Sequence, residues 1–337
     1  MRILLLILYA TGSFYVTTAV ADAHNPFSYD FMIGYERSAL DGLSLGDDAS
    51  EDRLVEEEIE FEFALEYRVT NDFYLFLTAA LNDDSETIET AGIEDDVSGI
   101  ERREIGFGYF FGENLVSHLR VGRTEFVSAS EWWLWWDEEL DAIRLESSYS
   151  DFEATLALAE EQARESTGDD FIDPEFDGVR RFLLEFAWEF ADGHSLLLHY
   201  IDQNDNSSSY NLGEFEDDDR IDEEDADLEW LGIGYQGEFE LDSVGNLQLE
   251  LHAAEVRGDE TVYEFDDPSA GRAEVTEKTE RRVSGDAYGM LLSWTPAILQ
   301  DWTLVLGRAV GSGDSNPDDS RIESFRQSGL QGDSETL

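Results

Sequence analysis

The chain alternates apolar and polar residues over many short stretches. Residues 59–69 show this most clearly, because every second residue from Ile59 to Val69 is apolar and most residues between them are charged. Side chains of a β-strand point to opposite faces with a period of two, so the pattern predicts strands with one apolar face. We count about thirteen such stretches of roughly 9–12 residues, the length of a strand that crosses a bilayer at a tilt.

The connections between these stretches fall into two length classes. The short ones are Thr70–Asp72, Gly112–Asn114, Ser148–Asp151 and Ala191–Gly193. The long, acidic ones are Asn82–Ser98, Glu160–Gly178, Asp202–Asp225 and Gly258–Arg282. Short turns on one side and long loops on the other are typical of outer-membrane proteins, so we predict an all-β fold, an antiparallel transmembrane β-barrel. A secreted β-sandwich or solenoid is the alternative.

The first 23 residues have the layout of a secretory signal peptide. One basic residue, an apolar stretch and small residues near Ala21 and Ala23 predict export with cleavage after one of these alanines, and a retained membrane anchor is the alternative. Beyond them, no apolar run of about 18 residues predicts a transmembrane helix. We therefore expect a signal peptide at 1–23 and a barrel at 24–337, located in the outer membrane.

The charge of the chain limits its partners. It carries 79 Asp and Glu against 21 Lys and Arg, a formal net charge of −58, which argues against nucleic acid because phosphate binding needs basic patches. Without cysteine it has neither thiol chemistry nor cysteine metal sites. A charge on the lipid face costs several kcal/mol, so we expect Glu60, Glu62 and Glu66 to face a water-filled lumen.

Three segments resemble the signature of the alginate export family of outer-membrane barrels. They are LRVGRTEFVSASEWWLWWDEELDAIRL (119–145), GRAVGSGDSNPDD (307–319) and FRQSGLQ (325–331). The resemblance implies a monomeric barrel of about eighteen strands that passes an anionic polysaccharide outward, with no cofactor and no catalysis. It also implies contacts with outer-membrane lipid and with periplasmic export proteins.

The number of strands is smaller than this resemblance implies. About thirteen strands are fewer than about eighteen, and barrels of this kind close with an even number. The chain also ends on the polar stretch QSGLQGDSETL. We therefore predict a C-terminally truncated family member, in which strands Phe27–Tyr35 and Trp302–Ala309 each have an unpaired edge that promotes aggregation.

The resemblance also implies an arginine-rich constriction that attracts uronate carboxylates. Arg144 in DAIR and Arg123 in VGR match family arginines, and Arg326 in FRQ matches one in a loop segment. The predicted pore-lining residues are Arg68, Arg103, Arg120, Arg123, Arg144, Arg181, Glu60, Glu62, Glu66, Glu146, Glu185 and Glu189. In the alternative interpretation each arginine neutralises neighbouring glutamates. Because inward glutamates outnumber basic residues, a cation-preferring diffusion porin is the alternative function.

Other patterns are weaker indications of chemistry. The acidic stretches 202–206 and 216–227 lack the glycine and glutamate spacing of an EF-hand, so we expect only loosely bound divalent cations there. The stretch WWLWW at 132–136 predicts an interfacial aromatic girdle or, alternatively, a platform for sugar stacking. No catalytic motif is present, so we do not expect an enzyme, and a barrel hydrolase is the third hypothesis.

Overall fold

The computed structural model describes residues 14–21, 26–43, 52–88, 93–127, 136–164 and most of 166–331. Within the last range the residues not described are 168–170, 173, 175, 206, 208, 218–219, 242–243, 267–270, 299–301, 315–319 and 329. Strands make up nearly all regular structure, and no α-helix occurs among the described residues. Accordingly, this part of the chain contains no helix with the length and apolarity needed to cross a membrane. The predicted all-β fold is confirmed.

The strands belong to two compact units, residues 1–108 with 163–171 and residues 109–162 with 172–337. The first unit contains β1 (Phe14–Ala21), β2 (Phe27–Leu43), β3 (Asp52–Arg68), β4 (Phe73–Ile88) and most of β5 (Ile93–Phe111). Strands β1 to β4 pair antiparallel in chain order.

The second unit contains the remaining strands. They are β6 (Val116–Val127), β7 (Trp136–Tyr149), β8 (Phe152–Glu160), β9 (Arg180–Ala191), β10 (His194–Asn204), β11 (Phe215–Asp217), β12 (Glu224–Leu241), β13 (Gly245–Phe265), β14 (Arg272–Pro296), β15 (Leu304–Gly311), β16 (Arg321–Ile322) and β17 (Leu330–Gln331). From β6 to β15 they pair antiparallel in chain order, except that the short β11 pairs with β14. Strands β16 and β17 pair parallel with β14 and β7.

The short connections are closed by local turn chemistry. Between β3 and β4, the Thr70 hydroxyl oxygen accepts hydrogen bonds from the backbone N–H groups of Asp72 (3.3 Å) and Phe73 (3.0 Å). Between β9 and β10, Gly193 has a φ of +69°, which glycine adopts without steric cost. Because such turns depend on neighbouring residues alone, they occur where the sequence predicted them.

One face of the sheet in the second unit is apolar and open to the surroundings. A row across five strands consists of Trp188, Leu196, Tyr235, Leu251 and Met290, each directly opposite the next. These side chains are half-exposed or exposed, and cross-strand rows of this kind stabilise a sheet through side-chain packing. We call this the outer face and the opposite side the inner face.

The first unit separates its two faces in the same way. On β3, Ile59 is 49% exposed and belongs to the apolar face, whereas Glu60 is 8% exposed on the other. Opposite β3 on β2, Phe31 pairs with Phe63 and Met32 with Glu62, so both strands keep the same alternation. The Glu60 side is the inner face of this unit.

Two of the predicted long loops are largely strand. Strands β13 and β14 contain 21 and 25 residues, and together they cover most of 258–282. Likewise β4 and β5 cover most of 82–98. The prediction failed because the alternation ends where both faces become polar, whereas the backbone ladder continues without it. The other two long loops lie close to their predicted positions, with β11 inside the second.

The strand edges differ from the prediction in one place. Residues 14–21 form β1 and pair along β2, so in the uncleaved chain the edge of strand Phe27–Tyr35 is not free, contrary to the prediction. The other predicted edge strand is β15, which pairs with β14 on one side. No other described strand of the second unit pairs with β15. Signal-peptide cleavage stays a prediction, and cleavage after Ala21 would remove β1.

Candidate functional site

The inner face of the first unit is built around one arginine. Arg103 on β5 lies 2.9 Å from Glu60, 3.7 Å from Glu62 and 3.1 Å from Glu101. Asn82 on β4 also donates a hydrogen bond to Glu101 (2.7 Å). This arrangement matches the alternative interpretation of Arg103, in which the guanidinium neutralises neighbouring glutamates, and it leaves carboxylates in excess around a single positive charge.

The first unit also contains the predicted pair Arg68 and Glu66. The guanidinium Nε of Arg68 lies 2.8 Å from Glu66 Oε1, at the end of β3 beside the Thr70 turn. The Arg68 side chain is 61% exposed. Because this pair is solvated and local, it contributes little to stability and lies apart from the Arg103 cluster.

In the second unit, Arg120 on β6 lies directly opposite Arg144 on β7. Arg144 forms an ion pair with Glu146 (2.6 Å), and its Nη1 donates to the carbonyl of Glu125 (2.8 Å). His118 contacts the same carboxylate at 2.9 Å. The two strands therefore place two guanidinium groups, one imidazole and one carboxylate side by side on the inner face.

Arg123 does not follow the alternation of β6. Gly122 has a φ of +129°, a conformation that favours glycine, and after it both Arg123 and Thr124 are buried. Arg123 is 1% exposed and donates from Nη1 to both carboxylate oxygens of Glu161, at 3.0 and 2.9 Å. This buried ion pair fixes the start of the loop after β8, and it is separate from the Arg120 and Arg144 pair.

A third group joins Arg181 with Arg326. Both line a cavity of about 510 Å³ together with Trp230 and Asp222. Arg181 is 4% exposed and donates to the side-chain oxygen of Gln203 (3.1 Å). The sequence predicted Arg181 as an inward residue and left the role of Arg326 open, and the fold brings the two into one cavity.

Arg326 belongs to residues 320–328, which we call the inner segment because it packs against the inner face. The indole N–H of Trp230 donates to the carbonyl of Arg326 (2.9 Å). A Cβ atom added at Gly285 would lie 2.6 Å from backbone atoms of Phe325, so glycine there permits the close approach. The N–H of Phe325 also donates to the carbonyl of Ser312 (3.0 Å).

The charged groups of Arg326 hold the inner segment to two strands. The guanidinium contacts Glu224 at 3.2 Å and forms a close ion pair with Glu260. The Glu260 side chain is 0% exposed, and its second cation, Arg281, lies at 4.0 Å. The segment is thus held by an ion pair as well as by packing.

The remaining predicted glutamates lie at two different places. Glu185 contacts His199 at 3.0 Å on the inner face, next to a second histidine–glutamate pair, His252 and Glu250, at 3.6 Å. Glu189 accepts a hydrogen bond from the N–H of Gly193 (3.3 Å), so it lies beside a tight turn. Glu189 therefore lies at the turn between β9 and β10 and belongs to none of the arginine groups described above.

The sequence did not indicate the apolar cluster on the inner face of the second unit. Leu183, Ile201, Leu228, Trp230 and Val256 are each at most 2% exposed, and the inner segment packs against them. The residues that the sequence analysis assigned to the inner face are all charged. The available signal was the run 228–235, in which apolar residues occupy both parities.

The acidic loop between β10 and β12 forms a carboxylate cluster. Single carboxylate oxygens of Asp205, Asp222 and Asp225 all lie within 4.8 Å of one another. Burial raises the pKa of Asp205 and raises that of Asp222 to about 6. Among the described residues this is the one group of three or more carboxylates or histidines close enough to one another to hold a metal ion. Residues 132–135 of the aromatic stretch 132–136 lie outside the described residues, so the predicted role of this stretch is untested.

Comparison with known proteins shows the family of the chain. The sequence model of the alginate export family matches residues 79–328, well over half of the chain. The match contains all three segments that carried the resemblance, apart from the last residues of the third. No curated protein matches the chain. The all-β, antiparallel fold is consistent with a β-barrel of this family.

Proposed function

Because the chain belongs to the alginate export family, we propose that it is an outer-membrane porin through which an anionic polysaccharide leaves the cell. The exposed apolar rows on its strands support a location in lipid, where every backbone polar group must be paired within the protein. Periplasmic export proteins are the partners we expect for such a porin. Its function is transport, for which it needs neither a cofactor nor a catalytic group.

The observation that supports an anionic substrate is the position of Arg120 directly opposite Arg144. Two guanidinium groups directly opposite each other in a sheet attract an anion that lies between them. A guanidinium binds a carboxylate through two parallel hydrogen bonds, which suits the uronate groups of an acidic polysaccharide. Glu146 already contacts Arg144, so a passing carboxylate must compete with it. Weak, exchangeable contacts of this kind let a polymer move on.

The inner segment supplies the second element of the proposal. It covers the inner apolar cluster, and it brings Arg326 to the cavity that Arg181 also lines. We expect this segment to narrow the path of the polysaccharide and to place a second pair of arginines along it. Two arginine pairs on different strands would bind successive carboxylates of one chain.

The Arg103 cluster favours a second function, a cation-preferring diffusion porin. There a single guanidinium faces Glu60, Glu62 and Glu101, so the local charge is negative. Carboxylate rings attract small cations and repel polyanions. If this cluster determines selectivity, small cations pass in preference to anions, and the effect is largest at low salt, where screening is weak.

Planar-bilayer recording separates the two functions. A salt gradient gives the ion preference from the reversal potential, and added oligouronates test for block of the current. We expect block, and we expect Arg120→Gln or Arg144→Gln to weaken it by about tenfold, the loss of roughly one charge-assisted contact. Arg257→Gln is the matched control, because Arg257 is 69% exposed and pairs with Glu255.

The outcomes are distinct. Block that is weakened by the Arg120 and Arg144 variants, and not by the Arg257 control, supports polysaccharide export. A cation-selective channel that oligouronates do not block supports the diffusion porin and contradicts export. If all variants, including Arg257→Gln, weaken block equally, block reflects general electrostatics. This result would contradict the contacts proposed for Arg120 and Arg144.

A further inference from the structure

The acidic cluster has the dimensions of a calcium site. Asp205 follows β10, Asp222 precedes β12, and Asp225 is the second residue of β12, so two separate segments of the chain converge. Their oxygens lie within 4.8 Å of one another. Calcium–oxygen distances are about 2.3–2.6 Å, so two ligands of one ion lie up to about 5 Å apart. The cluster therefore has about the size needed to surround a single ion.

Asp222 provides an independent indication of a ligand. Its side chain is 5% exposed, Oδ1 accepts a hydrogen bond from the N–H of Glu224 (3.1 Å), and Oδ2 has no hydrogen-bond partner. Buried polar atoms are nearly always paired, and an unpaired carboxylate oxygen is costly. Asp222 belongs to a group of three carboxylates whose oxygens lie within 4.8 Å of one another, and a cation between them would supply the partner that Oδ2 lacks.

The surrounding hydrogen bonds hold the other two carboxylates in place. Asp205 Oδ1 accepts from the backbone N–H of Ser207 (3.0 Å) and from its hydroxyl. Asp225 Oδ2 accepts from the phenol of Tyr263 (2.9 Å). Fixed carboxylates lose less entropy when an ion binds, and partners behind the ligands commonly raise metal affinity.

The basic residues near the cluster have other carboxylate partners. Arg281 and Arg282 line a cavity of about 470 Å³ that Asp205 and Asp225 also line. However, Arg281 lies 4.0 Å from Glu260 and Arg282 lies 3.7 Å from Asp259. Each of these two arginines is therefore shared with a carboxylate outside the three aspartates.

We propose that Asp205, Asp222 and Asp225 bind one Ca²⁺ ion, which clamps the loop between β10 and β12. Calcium accepts irregular sets of carboxylate and carbonyl oxygens, whereas Mg²⁺ loses its waters reluctantly and keeps several of them. The bound ion fixes both ends of residues 205–223 beside the cavity that Arg181 and Arg326 line. The site is independent of the proposed transport function.

Terbium luminescence tests this site directly. Tb³⁺ occupies calcium sites and emits when a nearby aromatic ring is excited, and Tyr263 contacts the ligand Asp225 while the Tyr210 ring lies 5.1 Å from Tyr263. The full chain, folded in detergent in the presence of salt, is titrated with Tb³⁺ and then with Ca²⁺ or Mg²⁺. We expect saturable emission that Ca²⁺ displaces at lower concentration than Mg²⁺.

Variants connect the signal to the cluster. Asp222→Asn and Asp205→Asn should each weaken Ca²⁺ binding, measured by calorimetry, at least about tenfold. Glu223→Gln removes one charge from an exposed position of the same loop and should leave the affinity unchanged. Tyr263→Phe should lower the emission more than the Ca²⁺ affinity. A heat-shift gel checks that each variant is folded, and Asp222→Asn should fold because it removes a buried charge.

The contrary results are equally clear. Equal Ca²⁺ affinity in the wild type, Asp222→Asn and Asp205→Asn overturns the site. The same holds if Glu223→Gln weakens binding as much as the aspartate variants, since binding then reflects general surface charge. Absence of saturable Ca²⁺ binding by the wild type also overturns it.

Discussion

Replacing Arg326 by methionine removes the cation that holds the inner segment to β12 and β13. Arg326 contacts Glu224 and Glu260, and the Glu260 side chain is 0% exposed. The variant leaves Glu260 with Arg281 alone, at 4.0 Å. We expect the inner segment to loosen and the free energy of unfolding to fall.

The size of the effect follows from burial. Removing one partner of a fully buried ion pair costs about 3–5 kcal/mol because the other charge stays buried and uncompensated. Here the Arg326 side chain is 31% exposed, and Arg281 still faces Glu260, so both factors reduce the loss. We therefore expect Arg326→Met to lower the free energy of unfolding by about 1–3 kcal/mol.

Urea unfolding in detergent micelles, followed by tryptophan fluorescence, measures this loss. A double-mutant cycle isolates the pair: in a Glu260→Gln background the buried charge is absent, so Arg326→Met should cost less than about 1 kcal/mol. Arg257→Met is the control, since its exposed pair with Glu255 contributes at most about 1 kcal/mol. An unchanged unfolding midpoint for Arg326→Met, or an equal loss in both backgrounds, would refute the role of this ion pair.

Three further predictions concern other parts of the chain. Replacing Glu60 and Glu62 by Gln should lower any cation preference in reversal-potential measurements, and an unchanged value would place these carboxylates outside the conducting path. Burial raises the pKa of Asp222 to about 6, so in the presence of a chelator its deprotonation between about pH 4 and about pH 6 should destabilise the fold by about 1–3 kcal/mol; Asp222→Asn should reduce this pH dependence in urea titrations, and an unchanged slope would contradict the prediction. Mass spectrometry of the membrane-inserted protein should show a chain that begins after Ala21 or Ala23, and an intact N-terminus would refute cleavage.

The sequence by itself determined which residues of an alternating stretch share a strand face, but not the full lengths of the strands. The alternation of Ile59 with Glu60 reappears as an exposed and a covered side chain on β3, because period-two geometry depends only on the local backbone. Local turn residues such as Thr70 and Gly193 likewise ended the strands where predicted. The likeness of three segments led to the family that the comparison with known proteins then found.

Only the tertiary structure decided which side chains meet. The sequence could place Arg103 with glutamates on one face, but its contacts with Glu60 and Glu101 depend on the positions of three strands. The Asp222 cluster and the contact between Trp230 and Arg326 join residues far apart in the chain. The alternation of a strand specifies which face a side chain lies on, but not which side chains of other strands it contacts. Those contacts depend on the register between strands and on the path of residues 320–328, which are determined by packing between distant segments.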